Sequence, residues 1–427
     1  MPEPEPEPRT VAIDLHKDYA LIEGVDTRLE VVLHPCRVPT VKLDGWAQKH
    51  LQKADTVVLE ATTSAWHVCD LLQPLVARVV VANTHRLKAL TADAVRTDQR
   101  AVQILARLQV AGLIPEVWVP PPPVRELRAL IHHRQRLVSQ RTAAQNRLHS
   151  WLQRYHLVPP QGAPLAVSNR PWWDHLPLAA SEKLCAQQDW ALLDYLGDHL
   201  AQVETELTRL SASERWRGPV AFLIQLPGVG LLTAMTLLGA IGDITRFPSA
   251  RHLVGYAGLG TRVHVSGQTH HSGGITKEGR CELRTGVVEA TWTAVQTHPF
   301  WQEQFATLEA RLGKQKAIVA LARKLLVVIW HVLTAQVADH HADTEAVARS
   351  LLTWASRHRL ATSLGLSRPA FVRQELDRLG LGAELTQFLA NGRPCRLPPS
   401  TLLLDLPQEV LATLAAWPEE PTTEAEC

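Results

Sequence analysis

The hydrophobic period of this chain changes once, and a run of four prolines at residues 120–123 marks the change. Before it, the runs TVAID, LEVVLH, TVVLE and ARVVVAN are short and apolar, with spacers long enough for turns or helices, and read as strands. After it, apolar residues recur at three- and four-residue steps over much longer stretches, which is the period of helices. The chain is therefore expected to fold as an α/β domain, a stiff proline linker and an all-α remainder.

Within the first part, acidic residues fall at the ends of expected strands. Asp14 closes the first and Glu60 the third, where carboxylates can converge above a sheet edge and offer oxygen ligands to a hard cation such as Mg²⁺. Asp98 opens the segment DQRAVQILARL, in which Ile104, Leu105 and Leu108 have helical spacing. Taken singly, each acid is better explained as a cap or a surface charge than as a ligand.

Beyond the prolines, residues 124–157 read as one long helix with an apolar stripe of Leu127, Leu130, Leu137, Leu148, Trp151 and Tyr155. Its other faces carry Arg125, Arg128, Arg134, Arg136, Arg141, Arg147 and Arg154 against the single acid Glu126, a basic surface suited to phosphates. A Pro- and Trp-rich loop follows. Leu193, Leu196, Leu200, Val203, Leu207 and Leu210 then form a coiled-coil seam, which an antiparallel hairpin or a second copy of the chain could satisfy. From Phe222 an apolar helix end, Pro227-Gly228-Val229-Gly230 and another apolar helix resemble a helix-hairpin-helix, whose glycines let backbone N–H groups approach a phosphate.

The polar, glycine-rich stretch 256–277 reads as a loop wedged between these helical patterns. It holds one plausible nucleophile, Ser266, before Gly267 and among Arg262, His264, His270, His271 and Lys277. An isolated Ser-Gly pair is also an ordinary turn.

Composition sets the remaining bounds. At 427 residues and 46% hydrophobic content the chain can bury real cores, in two to four domains at about 150 residues each. The net charge of +2 hides acidic ends (Glu3, Glu5 and Glu7; Glu419, Glu420, Glu424 and Glu426) around arginine-rich helices. Six scattered cysteines form no CxxC pair, which argues for free thiols in a reducing, cytoplasmic compartment. The beginning MPEPEPEPRT lacks the basic and apolar regions of a signal peptide. The most apolar stretch, 317–338, is interrupted by Arg323, Lys324 and His331 and reads as a buried helix.

VAIDLHK, VVLEATTSAW and KALTADAVRTDQRAVQILARL resemble the three motifs of the RuvC-like DEDD domain of bridge-RNA-guided insertion-sequence transposases. PGVG, GDITRFPSARHLVGYAGL and SG…GGITKEGRCELR are similar to that family's C-terminal serine domain, in the same order. The resemblance covers roughly residues 11–335. It implies an RNase H-like first domain, with Asp14, Glu60 and Asp98 as Mg²⁺ ligands and Ser266 as nucleophile. Gly273, Gly274, Thr276 and Lys277 match the GGITK element and are expected against DNA, as are Gly228, Gly230, Arg262, Arg128, Arg134 and Arg141.

By the same resemblance the partners are donor and target double-stranded DNA, a structured guide RNA and further copies of the chain, with active sites shared between protomers. The family's fourth acid falls at position 101, one helical turn after Asp98, and here that residue is alanine. The expected layout is a tail at 1–10, the RuvC-like domain at 11–119, a coiled-coil region at 120–215, the serine domain at 216–335 and a helical extension with an acidic tail at 336–427. The leading expectation is a serine-nucleophile DNA recombinase. A non-cleaving RNA/DNA-binding assembly protein and a resolvase-like nuclease using water are the alternatives.

Overall fold

The computed structural model describes residues 8–90, 97–160, 162–266 and 269–401, and of residues 88–90, 263–266 and 269–272 it describes the backbone only. The expected acidic tails and short C-terminal helix lie outside these residues, as does Gly267. The chain divides into two compact units at Pro121/Pro122, inside the proline run.

The first unit contains β1 (Thr10–Leu15), β2 (Tyr19–Val25), β3 (Val31–Pro39), α1 (Leu43–His50), β4 (Thr56–Glu60), α2 (Ala65–Leu72), β5 (Arg78–Ala82), α3 (Thr84–Leu90) and α4 (Asp98–Val110). Its strands form one five-stranded sheet in the order β3-β2-β1-β4-β5. The β1–β2 and β2–β3 pairs are antiparallel, whereas β4 runs parallel to both β1 and β5. Alternation of side chains along each strand feeds two cores. Val11, Ile13, Val57 and Leu59 pack with Leu43, Val68 and Leu72 on the face covered by α1 and α2. Ala12, Val58 and Val80 pack with Val102, Leu105 and Ala106 of α4 on the other. The strand β2, YALIEGV, was not foreseen; four of its last five positions are buried and it joins both cores, so it lacks a polar face to alternate with.

The second unit contains α5 (Pro122–Arg154), α6 (Arg170–Asp174), α7 (Ala180–Ser211), α8 (Glu214–Ile224), α9 (Leu231–Ile241), α10 (Ala250–Tyr256), β6 (Thr261–Ser266), β7 (Thr269–Ile275), α11 (Cys281–Thr297), α12 (Pro299–Leu312) and α13 (Lys314–Ala335). It continues through α14 (Thr344–Ser356), α15 (Leu360–Ser363), α16 (Arg368–Leu379) and the hairpin of β8 (Gln387–Ala390) with β9 (Arg393–Arg396). The coiled-coil seam of α7 is met within the chain by α5, and the two helices are antiparallel: Arg134 pairs with Glu204 at 2.7 Å, Arg147 with Asp189 at 2.5 Å and Arg154 with Glu182 at 3.7 Å. By length and composition α13 is the one helix among the described residues that could cross a membrane, and half of it is buried inside this unit. The region after α13 is tied to the helices before it. Glu375, fully buried, pairs with Arg217 at 2.5 Å, and the Trp354 indole N–H donates to Ser211 Oγ at 2.9 Å.

Candidate active site

In the first unit the register of β1 on β4 ends with Ile13 opposite Leu59, so Asp14 and Glu60 are the next residues along neighbouring parallel strands. Both follow core residues of the α4 face, Ala12 and Val58, by two positions, and so lie on that face. The helix α4 packs across the same face and starts there. Thr97 caps it, its Oγ1 accepting the Arg100 N–H at 3.3 Å, which makes Asp98 the first helical residue. A carboxylate at that position is favoured by the positive end of the helix dipole.

The result is a tight cluster of three groups. Ligand atoms of Asp14, His16 and Asp98 all lie within 4.8 Å of one another. His16 Nε2 is 3.3 Å from Asp14 Oδ2 and 3.3 Å from Asp98 Oδ2. That nitrogen is buried and makes no well-aligned hydrogen bond to either carboxylate. The Tyr19 hydroxyl donates to Asp98 Oδ2 at 2.9 Å, which pushes the Tyr19 pKa up, since the bond holds its proton. Burial raises the pKa of Asp14 above its ordinary value, the nearby Asp98 adds to the rise, and His16 opposes it. Two carboxylates held this close repel unless a cation or an imidazole lies between them.

Two expected members of the site behave differently from the others. Glu60 ends β4 but its oxygens are not part of the three-residue cluster. Ala101 is half-buried on α4 one turn beyond Asp98, and its methyl group offers no ligand. His16 stands inside the motif VAIDLHK yet was not singled out; the usable signal was a histidine two residues after a strand-closing aspartate. Glu23, 2% exposed on β2 with Oε2 lacking a hydrogen-bond partner, was also missed. Nothing in a mostly apolar strand marks it.

In the second unit the stretch 256–277, expected as a loop, is largely a β-hairpin. Alternating β-branched residues account for this: Thr261, Val263 and Val265 stand at period two in β6. Ser266 is the last residue of β6 and pairs with Thr269 of β7. The base of the hairpin is clamped. Gly258 (φ +68°) and Gly279 (φ +129°) let two backbone segments meet so closely that a Cβ would come within 2.6 Å of the Glu278 carbonyl oxygen and 2.2 Å of that of Tyr256. Lys277 takes a left-handed conformation with φ +57°, its N–H donating to the Gly258 carbonyl at 3.0 Å, while Thr276 N–H donates to that of Gly260 at 2.8 Å. Arg262 donates to the Thr276 carbonyl at 3.1 Å. Gly273 and Gly274 are exposed and have no positive φ; a Cβ at Gly274 would meet nothing within 4 Å. The fold does not require glycine there.

The helices α8 and α9 flank Gly228 and Gly230. Gly228 has φ +81°, and a Cβ on it would lie 2.0 Å from the Ala290 carbonyl oxygen of α11, so its glycine serves packing. Gly230 caps α9 at φ −85° in open space. Of the expected basic surface on α5, Arg128 donates to the Gly239 and Ala240 carbonyls at 2.7 and 3.1 Å, closing the end of α9. Burial lowers its pKa to about 10, helped by the charges of Arg280 and Arg246. Arg134 is bound to Glu204, and Nε of Arg141 is buried without a hydrogen-bond partner. The acids that pair with Arg134, Arg147 and Arg154 come from α7, which a count along α5 alone does not include.

Comparison with known proteins adds two family matches. Residues 11–157 match the DEDD-type transposase domain of IS110 elements, and residues 220–306 match the domain described as transposase IS116/IS110/IS902 family. The transposase for insertion sequence element IS1111A of Coxiella burnetii is 31% identical over 231 residues, covering 50% of this chain and 59% of that protein. The pilin gene-inverting protein of Moraxella bovis is 26% identical over 315 residues, covering 69% of this chain and 85% of that protein. The DEDD match implies an RNase H-like fold for the first unit, in keeping with its mixed sheet and α4 across one face.

Proposed function

We propose, from the premise that this chain carries both transposase domains of the IS110/IS116 family, that it is a site-specific DNA recombinase whose nucleophile is Ser266. The observation that carries the reading is the convergence of Asp14 and Asp98, from a strand end and a helix start, with Glu60 next to Asp14 on the neighbouring strand.

A divalent cation of the Mg²⁺ class, held by these acids, supplies neutralisation of phosphate charge and activation of an oxygen nucleophile. The residues fit such an ion: two carboxylate oxygens and an imidazole nitrogen lie within 4.8 Å of one another. In the reaction, Ser266 Oγ forms a bond to a DNA phosphorus as the bond to the leaving sugar oxygen breaks in line, the serine proton passing to a base. Attack by a sugar hydroxyl on that serine phosphodiester then rejoins DNA to a new partner and frees the serine. Gly273 and Gly274, with ordinary backbone and with open space at Gly274, support a close approach of the DNA backbone beside Thr276 and Lys277.

The same reading includes a structured RNA that pairs with donor and target DNA, leaving the protein to read backbone and shape. It also includes an oligomer in which the carboxylates of one copy serve the Ser266 of another. The test is strand cleavage of labelled element-end DNA by the purified chain with its RNA, with and without divalent metal. Cleavage that requires metal and disappears in Asp14→Asn supports the reading; metal-independent cleavage, or full activity of Asp14→Asn, overturns it.

A further inference from the structure

We propose that His16 is a metal ligand, and that its imidazole replaces the carboxylate missing at position 101. The inference rests on the metal-site reading above and goes beyond it by naming the donor that completes the shell and the cations it favours.

The first ground is where the nitrogen sits. His16 Nε2 lies 3.3 Å from one oxygen of each of two carboxylates, Asp14 and Asp98, on a side chain about one-third exposed, and makes no well-aligned hydrogen bond to either. Ligands held at 2.0–2.1 Å around an octahedral ion are about 3 Å from their neighbours. The imidazole nitrogen therefore already lies near ligand spacing from each carboxylate, and all three atoms lie within 4.8 Å of one another.

The second ground is how the ring is held. His16 N–H donates to the Tyr19 carbonyl at 2.9 Å, closing the turn between β1 and β2. Its ring stacks on Tyr19 with centroids 4.4 Å apart and planes 21° from parallel. Arg37 in turn lies over Tyr19 at 3.5 Å from the ring centre, and the Tyr19 hydroxyl holds Asp98. One stack thus orients both the imidazole and a carboxylate, as the outer residues of metal sites commonly do.

The third ground is the gap itself. The resemblance places an acid at position 101, one helical turn after Asp98 on α4, but Ala101 carries only a methyl group, so a donor from another element is needed if the shell is to keep its number of protein ligands. An imidazole in place of a carboxylate also changes selectivity, because nitrogen donors suit Mn²⁺ and later transition ions better than Mg²⁺, which prefers oxygen.

The test is Mn²⁺ binding to the full chain stripped of metal, followed by electron paramagnetic resonance with detection of ¹⁴N modulation. The wild type is expected to show nitrogen coupling that is lost in His16→Ala and His16→Asp, with Mn²⁺ affinity of His16→Ala at least about tenfold weaker. His16→Asp, with oxygen ligands only, is expected to narrow the preference for Mn²⁺ over Mg²⁺. Adding Ala101→Asp to His16→Ala is expected to restore affinity without nitrogen coupling, which also guards against a folding defect. Nitrogen coupling that persists in His16→Ala, or Mn²⁺ bound through Asp14 with no nitrogen coupling, overturns the role of His16 while leaving the metal site. Mn²⁺ affinity unaffected by Asp14→Asn overturns the site itself.

Discussion

Replacing Gly228 by alanine separates a packing role from a DNA-contacting one. Gly228 holds φ +81°, where a side chain costs about 1–2 kcal/mol. Its new Cβ would stand 2.0 Å from the Ala290 carbonyl oxygen and 2.9 Å from the Ala294 nitrogen. These are backbone atoms inside α11, so relief requires the hairpin and helix to separate by about 1 Å, an overpacking cost of about 1–3 kcal/mol. The sum, about 2–5 kcal/mol, is a large share of the stability of an ordinary domain. Gly230 is the internal control, since its φ is −85° and nothing lies within 4 Å of a Cβ there; Gly230→Ala is expected to cost about 1 kcal/mol or less. Urea unfolding followed by tryptophan fluorescence would show the difference as a midpoint lowered by roughly 1 M in Gly228→Ala. Equal midpoints for the two variants would refute the packing argument and return Gly228 to the list of positions kept for phosphate approach.

Further expectations follow from the same structure. Burial pushes the Glu204 carboxyl up, but hydrogen bonds and charge from Arg134 and Arg357 outweigh it and hold its pKa below the ordinary value. Its stabilisation is therefore present above the unfolded carboxylate pKa of about 4.3 and is lost as pH falls through the lower folded value. Glu204→Gln should flatten that acid limb in a series of unfolding midpoints, and an unchanged limb would count against the pairing. Asp55 is fully buried and binds Arg9 through two hydrogen bonds of 2.9 and 2.7 Å; Asp55→Ala should cost about 3–5 kcal/mol in denaturant melts because Arg9 loses its partner. In the His16→Ala background, Ala101→Asp should raise metal-dependent cleavage by supplying an oxygen ligand, and equal rates with and without it would remove position 101 from the site.

Much of the site was legible because chemistry and strand punctuation coincide in the sequence. Asp14 and Glu60 close apolar runs and so read as strand ends, while it was the family resemblance that joined them with Asp98, which in the structure follows the capping Thr97. What was not legible depends on partners distant along the chain. The arginines of α5 look like an unbalanced charge stripe until α7 brings Glu204 and Asp189 to Arg134 and Arg147. The glycine of PGVG looks suited to a phosphate until α11 is seen to pass 2.0 Å from where its Cβ would be. His16 was hidden for another reason: only the turn back into the unforeseen strand β2 brings Tyr19 beneath its ring and fixes it between two carboxylates.

The central claim is that Ser266 becomes covalently joined to DNA in a reaction that needs the carboxylate site. It is tested most directly by incubating the chain and its RNA with element-end DNA, denaturing, and mapping any DNA-linked peptide by mass spectrometry. The expected result is a phosphodiester on Ser266 that forms only with divalent metal and is absent in Ser266→Ala and Asp14→Asn. Strand cleavage that continues in Ser266→Ala, or an adduct on another residue, would contradict it.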